Sequence, residues 1–463
     1  MKKSLEFITE QTMSLIEAGD TIKLQEYLDN LNISDVEDLI DELPDHAPLF
    51  IDTLSLHRAI NVFRILDNPT QERIINKLPG QKISKILNGL PPDDRTSFFG
   101  ELRDRDLLHR LVSLLSPEDR KEVFTLLSYP EDSIGRLMTP DFLAIDQNMT
   151  VEKALAYIRK NGKNSETIDV IYILGEGSKL IDDLPIRKLL ISDPTAVLSD
   201  LVDGRLITLN ANDPVEEGIK IFKMNNRVAL PVVDSSRMLL GIVTIDDILW
   251  VADEEYSEDM QRMGGTQALE EPYLDLPIHR LVKKRAGWLI VLFIGELLTA
   301  SVMQYYEEQL AQVIVLTLFL PLMISSGGNS GSQASTLIIQ AMATGEVRLS
   351  HWWKVFRREL LSGFSLGTIL GIIGFIRIYV WHFIFPDLYG DNWILVGLTV
   401  ALSLIGIVLW GSLIGSMLPF ILRRLGADPA TSSAPFVATI VDVTGLIIYL
   451  TIAGWIFGPL MHG

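Results

Sequence analysis

The chain has 463 residues, long enough for several domains, and a net charge of −19. Residues 283–463 hold ten basic and nine acidic residues, so residues 1–282 carry a charge of −20. That acidic part disfavours a nucleic acid partner and attracts cations, and the absence of cysteine excludes disulfides and thiolate metal sites. No apolar run follows Met1-Lys2-Lys3-Ser4, so we expect no signal peptide and a cytoplasmic location for the first half.

Residues 1–131 are predicted to form an all-helical N-terminal domain. Apolar residues recur three and four positions apart, as in 62–66 and 74–78, and prolines separate the short segments. A loose motif repeats three times, in which an arginine precedes an aromatic residue. Its copies are His57-Arg58 with Phe63, Asp94-Arg95 with Phe98-Phe99, and Asp119-Arg120 with Phe124. The pattern predicts a superhelical array in which each aromatic packs on the next repeat.

Residues 132–252 alternate strand and helix patterns and contain an internal repeat. Residues 146–154 match 210–218, the apolar strand 170–174 matches 230–233, and 184–190 match 243–249. The segment Met138-Thr139-Pro140 precedes the first copy. This arrangement resembles a pair of CBS domains, which implies two α/β units.

Domains that resemble this pair often bind adenine nucleotides through a Thr or Ser and an Asp three residues later. Thr244 and Asp247 fit that spacing, whereas the first repeat has Pro185 and Lys188 in those places. The resemblance therefore implies at most one ATP site with the usual residues. The alternative is a scaffold that dimerises through its helices.

Residues 253–282 are predicted to form an acidic connecting helix. Glu255, Glu258 and Asp259 fall on one helical face, where their charges repel each other unless cations lie between them. A solvated acidic face is the alternative interpretation. The position of the segment, between an acidic domain and an apolar one, favours a role in regulation.

Residues 283–463 are predicted to form an all-α membrane domain with five transmembrane helices. The apolar runs cover 286–304, 311–339, 359–385, 393–422 and 435–460, each long enough to cross a bilayer. Basic residues precede the first run and lie between the second and third and between the fourth and fifth. This distribution predicts a cytoplasmic N-terminus and an external C-terminus in a multi-pass protein of the cell (inner) membrane.

Two polar features lie inside these apolar runs. Twelve consecutive small or polar residues occupy 325–336, and the carboxylate of Asp442 interrupts the fifth run. Such groups are tolerated in lipid only where they face protein or a water-filled cavity. Ala438 and Gly445 leave space beside Asp442, and a carboxylate suits hydrated Mg²⁺. Alternatively, Asp442 caps a buried polar network, the small residues serve only helix packing, and Glu296 is a rival ion ligand.

With these parts in order, the chain resembles the MgtE family of magnesium channels and transporters over nearly its whole length. Three segments carry the resemblance: Gly327-Gly328-Asn329-Ser330-Gly331 with its continuation to Ile339, Leu425-Gly426-Ala427-Asp428-Pro429-Ala430, and Asp442-Val443-Thr444-Gly445-Leu446. The implied domains are 1–131, 132–252, 253–282 and 283–463, the third being a plug-type connecting helix.

The resemblance implies a homodimer in membrane lipid, with Asp442 of each chain at the ion-selective site and Asn329, Ala438 and Gly445 lining the pore. It also implies that cytoplasmic Mg²⁺ closes the pore by bridging acidic residues. The candidate sensor residues are Glu216, Asp247, Glu255, Glu258, Asp259 and Asp428, with Asp93 or Asp94 from the N-terminal domain. Trp250 and Asn226 depart from the family, in which acids are common there, which implies weaker or shifted inhibition.

Two other functions remain open from the sequence. A coupled secondary carrier of Mg²⁺ or Co²⁺ would also use intramembrane acids, and a CBS-regulated membrane sensor or enzyme would also carry the cytosolic domains. An enzyme is disfavoured because we find no nucleophile with a base, no P-loop and no metal-binding pair among the seven histidines.

Overall fold

The computed structural model describes residues 5–269, 273–274 and 276–461. The chain divides into two compact units, Met1–Asp253 and Glu254–Gly463. The first four residues, on which the signal-peptide prediction rests, lie outside the described residues. So do residues 270–272 and 275 of the predicted connecting segment and the last two residues of the chain.

In the described part of the N-terminal domain, from residue 5 onward, ten short helices follow one another, and alternate helices pack on each other around one hydrophobic core. They are α1 Leu5–Glu17, α2 Thr21–Asp29, α3 Ile33–Glu42, α4 Ala47–Thr53, α5 Leu56–Phe63, α6 Asn68–Lys77, α7 Gly80–Gly89, α8 Pro92–Glu101, α9 Arg105–Val112 and α10 Pro117–Leu127. Pro92 and Pro117 stand at the first helical position, where the missing N–H costs nothing. The predicted helical array is confirmed.

The repeated arginine motif connects neighbouring helices. Arg95 donates hydrogen bonds to the carbonyl oxygens of Leu87 and Leu90, at 2.9 and 2.7 Å, and pairs with Asp119 of α10 at 2.8 Å. The aromatic ring of Phe98 is buried, as predicted, but that of Phe124 is 55% exposed. The prediction for Phe124 was therefore wrong, because α10 is the last helix of the array and no further repeat covers it.

Two three-stranded sheets with the same topology make up the next part of the first unit. Their elements are α11 Ile134–Leu137, β1 Ala144–Asp146, α12 Val151–Asn161, β2 Val170–Leu174, β3 Leu180–Pro185, α13 Ile186–Ile191, β4 Leu209–Asn210, α14 Val215–Asn225, β5 Ala229–Val233 and β6 Leu239–Thr244. In each sheet the first strand runs parallel to the second and the third antiparallel to it. Each second strand has an irregular register before its last residue, so the internal repeat is confirmed in three dimensions.

The last helix of the second repeat, α15, runs from Ile245 to Met263. It passes through the predicted boundary at 252, because its sequence contains no proline or glycine before Gly264. Gly265 adopts a φ of +76°, a conformation that favours glycine and ends the helix. The predicted acidic residues therefore lie on a continuation of a CBS helix.

Among the described residues of the second unit, five helices are long and apolar enough to cross a membrane, as predicted. Its helices are α16 Ile278–Tyr305, α17 Glu307–Gln312, α18 Leu320–Ala343, α19 Trp352–Ile384, α20 Pro386–Tyr389, α21 Trp393–Arg424 and α22 Ala434–Met461. The small and polar run lies within α18, which continues unbroken through it. Part of this run serves close packing, since a Cβ added at Gly415 of α21 would lie 2.1 Å from the carbonyl oxygen of Gly331.

Candidate ion pathway and regulatory sites

Asp442 lies in α22 against the small residues of α18. A Cβ added at Gly328 would lie 3.1 Å from Asp442 Oδ1 and 3.4 Å from the Cβ of Ala438. The glycine therefore lets the backbone of α18 approach the carboxylate closely. Asp442 is half-buried in the single chain and has no salt-bridge partner in the described part of the molecule. A carboxylate without a counter-charge at membrane depth is a feature of ion and proton paths.

The other predicted pore residues differ in exposure and in their contacts. Asn329 is exposed on α18, and its amide donates a hydrogen bond to Ser325 Oγ at 3.4 Å. Ala438 lies one turn before Asp442 and faces Gly328. Gly445 is buried, and its α-carbon faces Ile407 of α21. The exposed polar side chains therefore lie on α18, while Gly445 is placed at a helix contact.

Glu296 of α16 lies near the same site. A Cβ added at Gly295 would be 2.8 Å from Thr439 Cγ2 of α22, which shows how closely these helices approach. The Glu296 carboxylate is exposed in the single chain and close enough to Asp442 for their charges to interact. The two acids, far apart in sequence, thus belong to one region of the membrane unit.

A second group of acids lies between the helical domain and the CBS pair, within the first unit. Asp93 and Asp94 of α8 are near Asp247 of α15, and two further residues join them, Glu166 and Arg64. Arg64 Nε lies 2.8 Å from Asp94 Oδ2. The buried Oδ1 of Asp93 has no hydrogen-bond partner in the part of the chain that the structure describes. One guanidinium therefore faces four carboxyl groups.

The pKa values of these acids follow from that arrangement. Burial, and then the charge of Asp247, raise the pKa of Asp93 well above its usual value. Burial raises the pKa of Asp94 to about 7, although the Arg64 guanidinium acts in the opposite direction. Burial also raises the pKa of Asp247 to about 6, against the hydrogen bond that Thr244 donates to it. Ionising Asp93, Asp94 and Asp247 together is therefore costly unless a further cation compensates their charge.

The remaining predicted sensor residues lie on α14, on α15 and in the loop between α21 and α22. Glu216 is exposed at the start of α14. Glu255, Glu258 and Asp259 lie on the part of α15 that belongs to the second unit. There the guanidinium of Arg262 pairs with Glu258 and lies 2.5 Å from Asp428, which is in the loop between α21 and α22.

Among the described residues, no three His, Asp or Glu side chains converge closely enough to form a complete metal site. Mg²⁺ usually keeps several of its waters and takes only one or two carboxylates from the protein. The single carboxylate of Asp442 and the paired acids of the first unit and of α15 fit that way of binding better than an enclosed site with many ligands.

Three family models match the chain in the same order as its domains. "MgtE intracellular N domain" matches residues 31–132, "CBS domain" residues 198–254, and "Divalent cation transporter" (MgtE) residues 320–452. The magnesium transporter MgtE of Thermus thermophilus is 35% identical over 441 residues, 95% of this chain and 96% of that protein. The chain belongs to the MgtE family.

A further relative agrees in length, and two solved structures agree in fold with the first part of the chain. The magnesium transporter MgtE of Bacillus subtilis is 28% identical and covers 95% of both chains. A solved cytosolic domain of the Mg²⁺ channel MgtE, in complex with ATP, is 32% identical with a TM-score of 0.51, covering 52% of this chain and 99% of that one. The soluble part of a magnesium transporter, 24% identical, has a TM-score of 0.50 over 54% of this chain and 99% of that one, which shows the fold alone.

The sequence analysis missed two arginines and one glutamate of these sites, namely Arg64, Arg262 and Glu166. Arg64 follows α5 and Glu166 lies in the loop before β2, so neither belongs to a motif that points to Asp94. Arg262 carried one usable signal, since it follows Glu258 by four residues on a predicted helix. Arg262 and Asp428 are 166 residues apart in the sequence, so their contact could be found only from the structure.

Proposed function

We propose that this chain transports Mg²⁺ across the cell (inner) membrane, with Asp442 as the selective ligand of a hydrated ion. The observation that carries the proposal is the placement of Asp442 against Gly328 of α18, without a salt-bridge partner in the described residues. The oxygen of a carboxylate is a hard ligand suited to Mg²⁺. The relatives named magnesium transporters support the same cargo.

A homodimer supports this role better than a single chain. In the single chain Asp442 is half-buried and Asn329 is exposed, and α16 exposes apolar side chains around most of its circumference. A second copy would bring two Asp442 carboxylates to one path and leave the other faces to lipid. Asn329, Ala438 and Gly445 are the proposed lining or supporting residues of that path.

The proposed orientation places the first unit in the cytoplasm and the C-terminus outside. Basic residues Lys283, Lys284 and Arg285 lie in the first turns of α16, and Arg423 and Arg424 at the end of α21. Lys and Arg concentrate on the cytoplasmic side of membrane proteins. The proposed domains are 1–131, 132–252, 253–282 and 283–463, with the reservation that α15 runs through the second boundary.

Cytoplasmic Mg²⁺ is the proposed inhibitor. The buried acid Asp93 and the partly buried acids Asp94 and Asp247 are the strongest sensor candidates, because one arginine compensates only part of their charge and a divalent ion would compensate more of it. Glu216, Glu255, Glu258, Asp259 and Asp428 are the remaining candidates. Binding shifts the transporter toward the closed state only if Mg²⁺ binds that state better.

ATP is a proposed ligand of the CBS pair, because the relative solved with ATP aligns with this unit. Thr244 and Asp247 have the spacing that suggests the site. In this structure the Thr244 hydroxyl donates to Asp247, and Asp247 also lies near the acids of α8. A nucleotide that used Asp247 would therefore change the charge of the sensor group.

The proposal is tested by Mg²⁺ flux into liposomes that contain the purified protein. Asp442→Ala should lower the flux by about tenfold or more, equivalent to a loss of ~1.4 kcal/mol. Asp391→Asn, which removes an exposed acid from the loop before α21, is the matched control and should leave the flux unchanged. Equal flux in the Asp442→Ala variant would remove this residue from the path.

A coupled carrier of Mg²⁺ or Co²⁺ is the second candidate, favoured by the proximity of Glu296 to Asp442, since paired acids can also bind a coupling ion. Electrical current that persists without a gradient of any other ion would support a channel. Current that requires a proton or sodium gradient would support the carrier.

A further inference from the structure

Arg262 connects two acids that the sequence places far apart. One nitrogen of its guanidinium, Nη1, lies 2.5 Å from Asp428 Oδ2, and the other, Nη2, pairs with Glu258 Oε1 one turn earlier on α15. The planar guanidinium can serve two carboxylates at once, which a single ammonium group does less well. All three side chains belong to the second unit.

Asp428 is itself held in a fixed position. Its Oδ1 accepts a hydrogen bond from the backbone N–H of Ala430 at 2.8 Å and caps the short helical turn Pro429–Thr431. That turn leads directly into α22, whose first residue, Ala434, precedes Asp442 by about two helical turns. The Arg262–Asp428 pair therefore joins the end of α15 to the start of the helix that carries the proposed ion ligand.

Other contacts join the same two segments. A Cβ added at Gly265 would lie 2.9 Å from Trp288 of α16 and 3.5 Å from Pro435 of α22. Trp288 Nε1 donates a hydrogen bond to Ser433 Oγ at 3.0 Å. The end of α15 therefore packs against α16 and α22, and the guanidinium compensates part of the negative charge of the two acids there.

The charge of Arg262 is secure at every physiological pH. Desolvation lowers its pKa, but the hydrogen bond to Asp428 and the charge of Glu258 outweigh this effect and raise the pKa above its usual value. Without the guanidinium, Glu258 and Asp428 would be two like charges on either side of the position that it occupies, and a mobile cation would have to take its place.

We propose that Arg262 is a built-in cation that keeps the end of α15 attached to the loop before α22 when Mg²⁺ is scarce. It is a positioning residue, which acts on transport through α22, and its effect on regulation rests on the proposed inhibition by cytoplasmic Mg²⁺. Mg²⁺ at Glu258 and Asp428 then reinforces a joint that is already closed. Without Arg262 the joint would close only in the presence of a divalent ion.

The chain contains no cysteine, so two spin labels can be placed without removing any native residue. Met260→Cys on α15 and Leu425→Cys after α21 both replace side chains that are more than half exposed. The distance between the labels is measured by double electron–electron resonance in the full-length protein. Each sample is compared with and without MgCl₂, with KCl at equal ionic strength as the reference.

In the labelled protein that retains Arg262, we expect the same distance between the two labels with and without Mg²⁺. Arg262→Gln should give a longer and broader distribution without Mg²⁺, which MgCl₂ but not KCl returns to the original distance. Arg262→Lys should retain most of the original distance, because one charge remains. The proposal is overturned if Arg262→Gln keeps the original label distance without Mg²⁺. It is also overturned if the label distance in the protein that retains Arg262 changes with Mg²⁺ as much as it does in Arg262→Gln.

Two further variants separate the ion pair from general effects. Asp428→Asn should also lengthen the distance, but MgCl₂ should fail to restore it, since one of the two carboxylates is gone. Arg424→Gln removes an exposed positive charge from the end of α21 and should change nothing. Recovery of the distance by Mg²⁺ in Asp428→Asn would contradict the proposed site of action, and this variant decides the question if Arg262→Gln does not fold.

Flux measurements on the same proteins distinguish this inference from the proposed function. In Arg262→Gln, the internal Mg²⁺ concentration for half-inhibition should rise by about threefold to tenfold, as expected for losing a partly exposed pair within a network. An unmodified protein that internal Mg²⁺ does not inhibit would refute the proposed regulation and leave the distance test standing. Inhibition in the unmodified protein with an unchanged midpoint in Arg262→Gln would refute the role of Arg262.

Discussion

Replacing Asp94 by asparagine should make α8 more stable at alkaline pH and remove much of its dependence on pH. Burial raises the pKa of Asp94 from 3.8 to about 7 in the folded protein. Between those values the folded state binds more protons than the unfolded state, so stability falls as pH rises through this window and is lowest above about pH 7. A shift of this size corresponds to a cost on the order of 4 kcal/mol for the ionised carboxylate.

The measurement is hydrogen–deuterium exchange of the full-length protein between pH 5.5 and 8.5 without divalent ions. Exchange of the α8 amides is expressed as protection factors, which correct for the intrinsic effect of pH on the exchange rate. They should fall with rising pH in the unmodified protein, fall much less in Asp94→Asn, and recover at pH 8.5 when Mg²⁺ is added to the unmodified protein.

Glu10→Gln provides the control, because Glu10 is exposed on α1, and it should leave the pH dependence of α8 unchanged. Protection that is constant or increases from pH 5.5 to 8.5 in the unmodified protein would refute the reasoning. So would an equally steep decrease in Asp94→Asn, because the charge held responsible would then be absent.

Two further predictions concern the membrane unit. Glu296→Gln should raise the external Mg²⁺ concentration for half-maximal flux by about threefold to tenfold, since one charge that attracts the ion toward Asp442 is lost, and an unchanged value would exclude Glu296 from the path. Gly415→Ala should destabilise the protein by about 1–3 kcal/mol, because its Cβ would meet a backbone oxygen at 2.1 Å. The control is Gly458→Ala, where an added Cβ would meet no described atom within 4 Å apart from its chain neighbours and the backbone of its own helix. Equal melting temperatures for the two variants would contradict the packing argument.

The elements that the sequence predicted well are those that show a periodic or repeated pattern of apolar residues within a short segment. Five apolar runs became five long helices, and the repeated strand patterns became two sheets with the same topology. The polar run of α18 was harder to interpret, because small residues serve both packing and hydration. Gly331 proves to serve packing with α21, whereas Gly328 faces Asp442, and only the relative rotation of the helices decides between these roles.

The predictions that failed or stayed incomplete depend on contacts between distant residues. The exposure of Phe124 follows from the end of the helical array, which the repeat pattern did not mark. The sequence also supplied acids such as Asp94 and Asp428 without the arginines beside them, since Arg64 and Arg262 lie in other segments. Charge compensation is therefore the part of these sites that required the structure.

Those two arginines lead to an ordering of the proposed Mg²⁺ sites. Near Arg64, four carboxyl groups share one guanidinium, and burial raises the pKa values of Asp93 and Asp94. Near Arg262, one guanidinium serves two carboxylates that are partly exposed. A divalent ion gains more where more negative charge is uncompensated and less screened by water. We therefore expect Mg²⁺ to bind first between the helical domain and the CBS pair, and only at higher concentration at the end of α15.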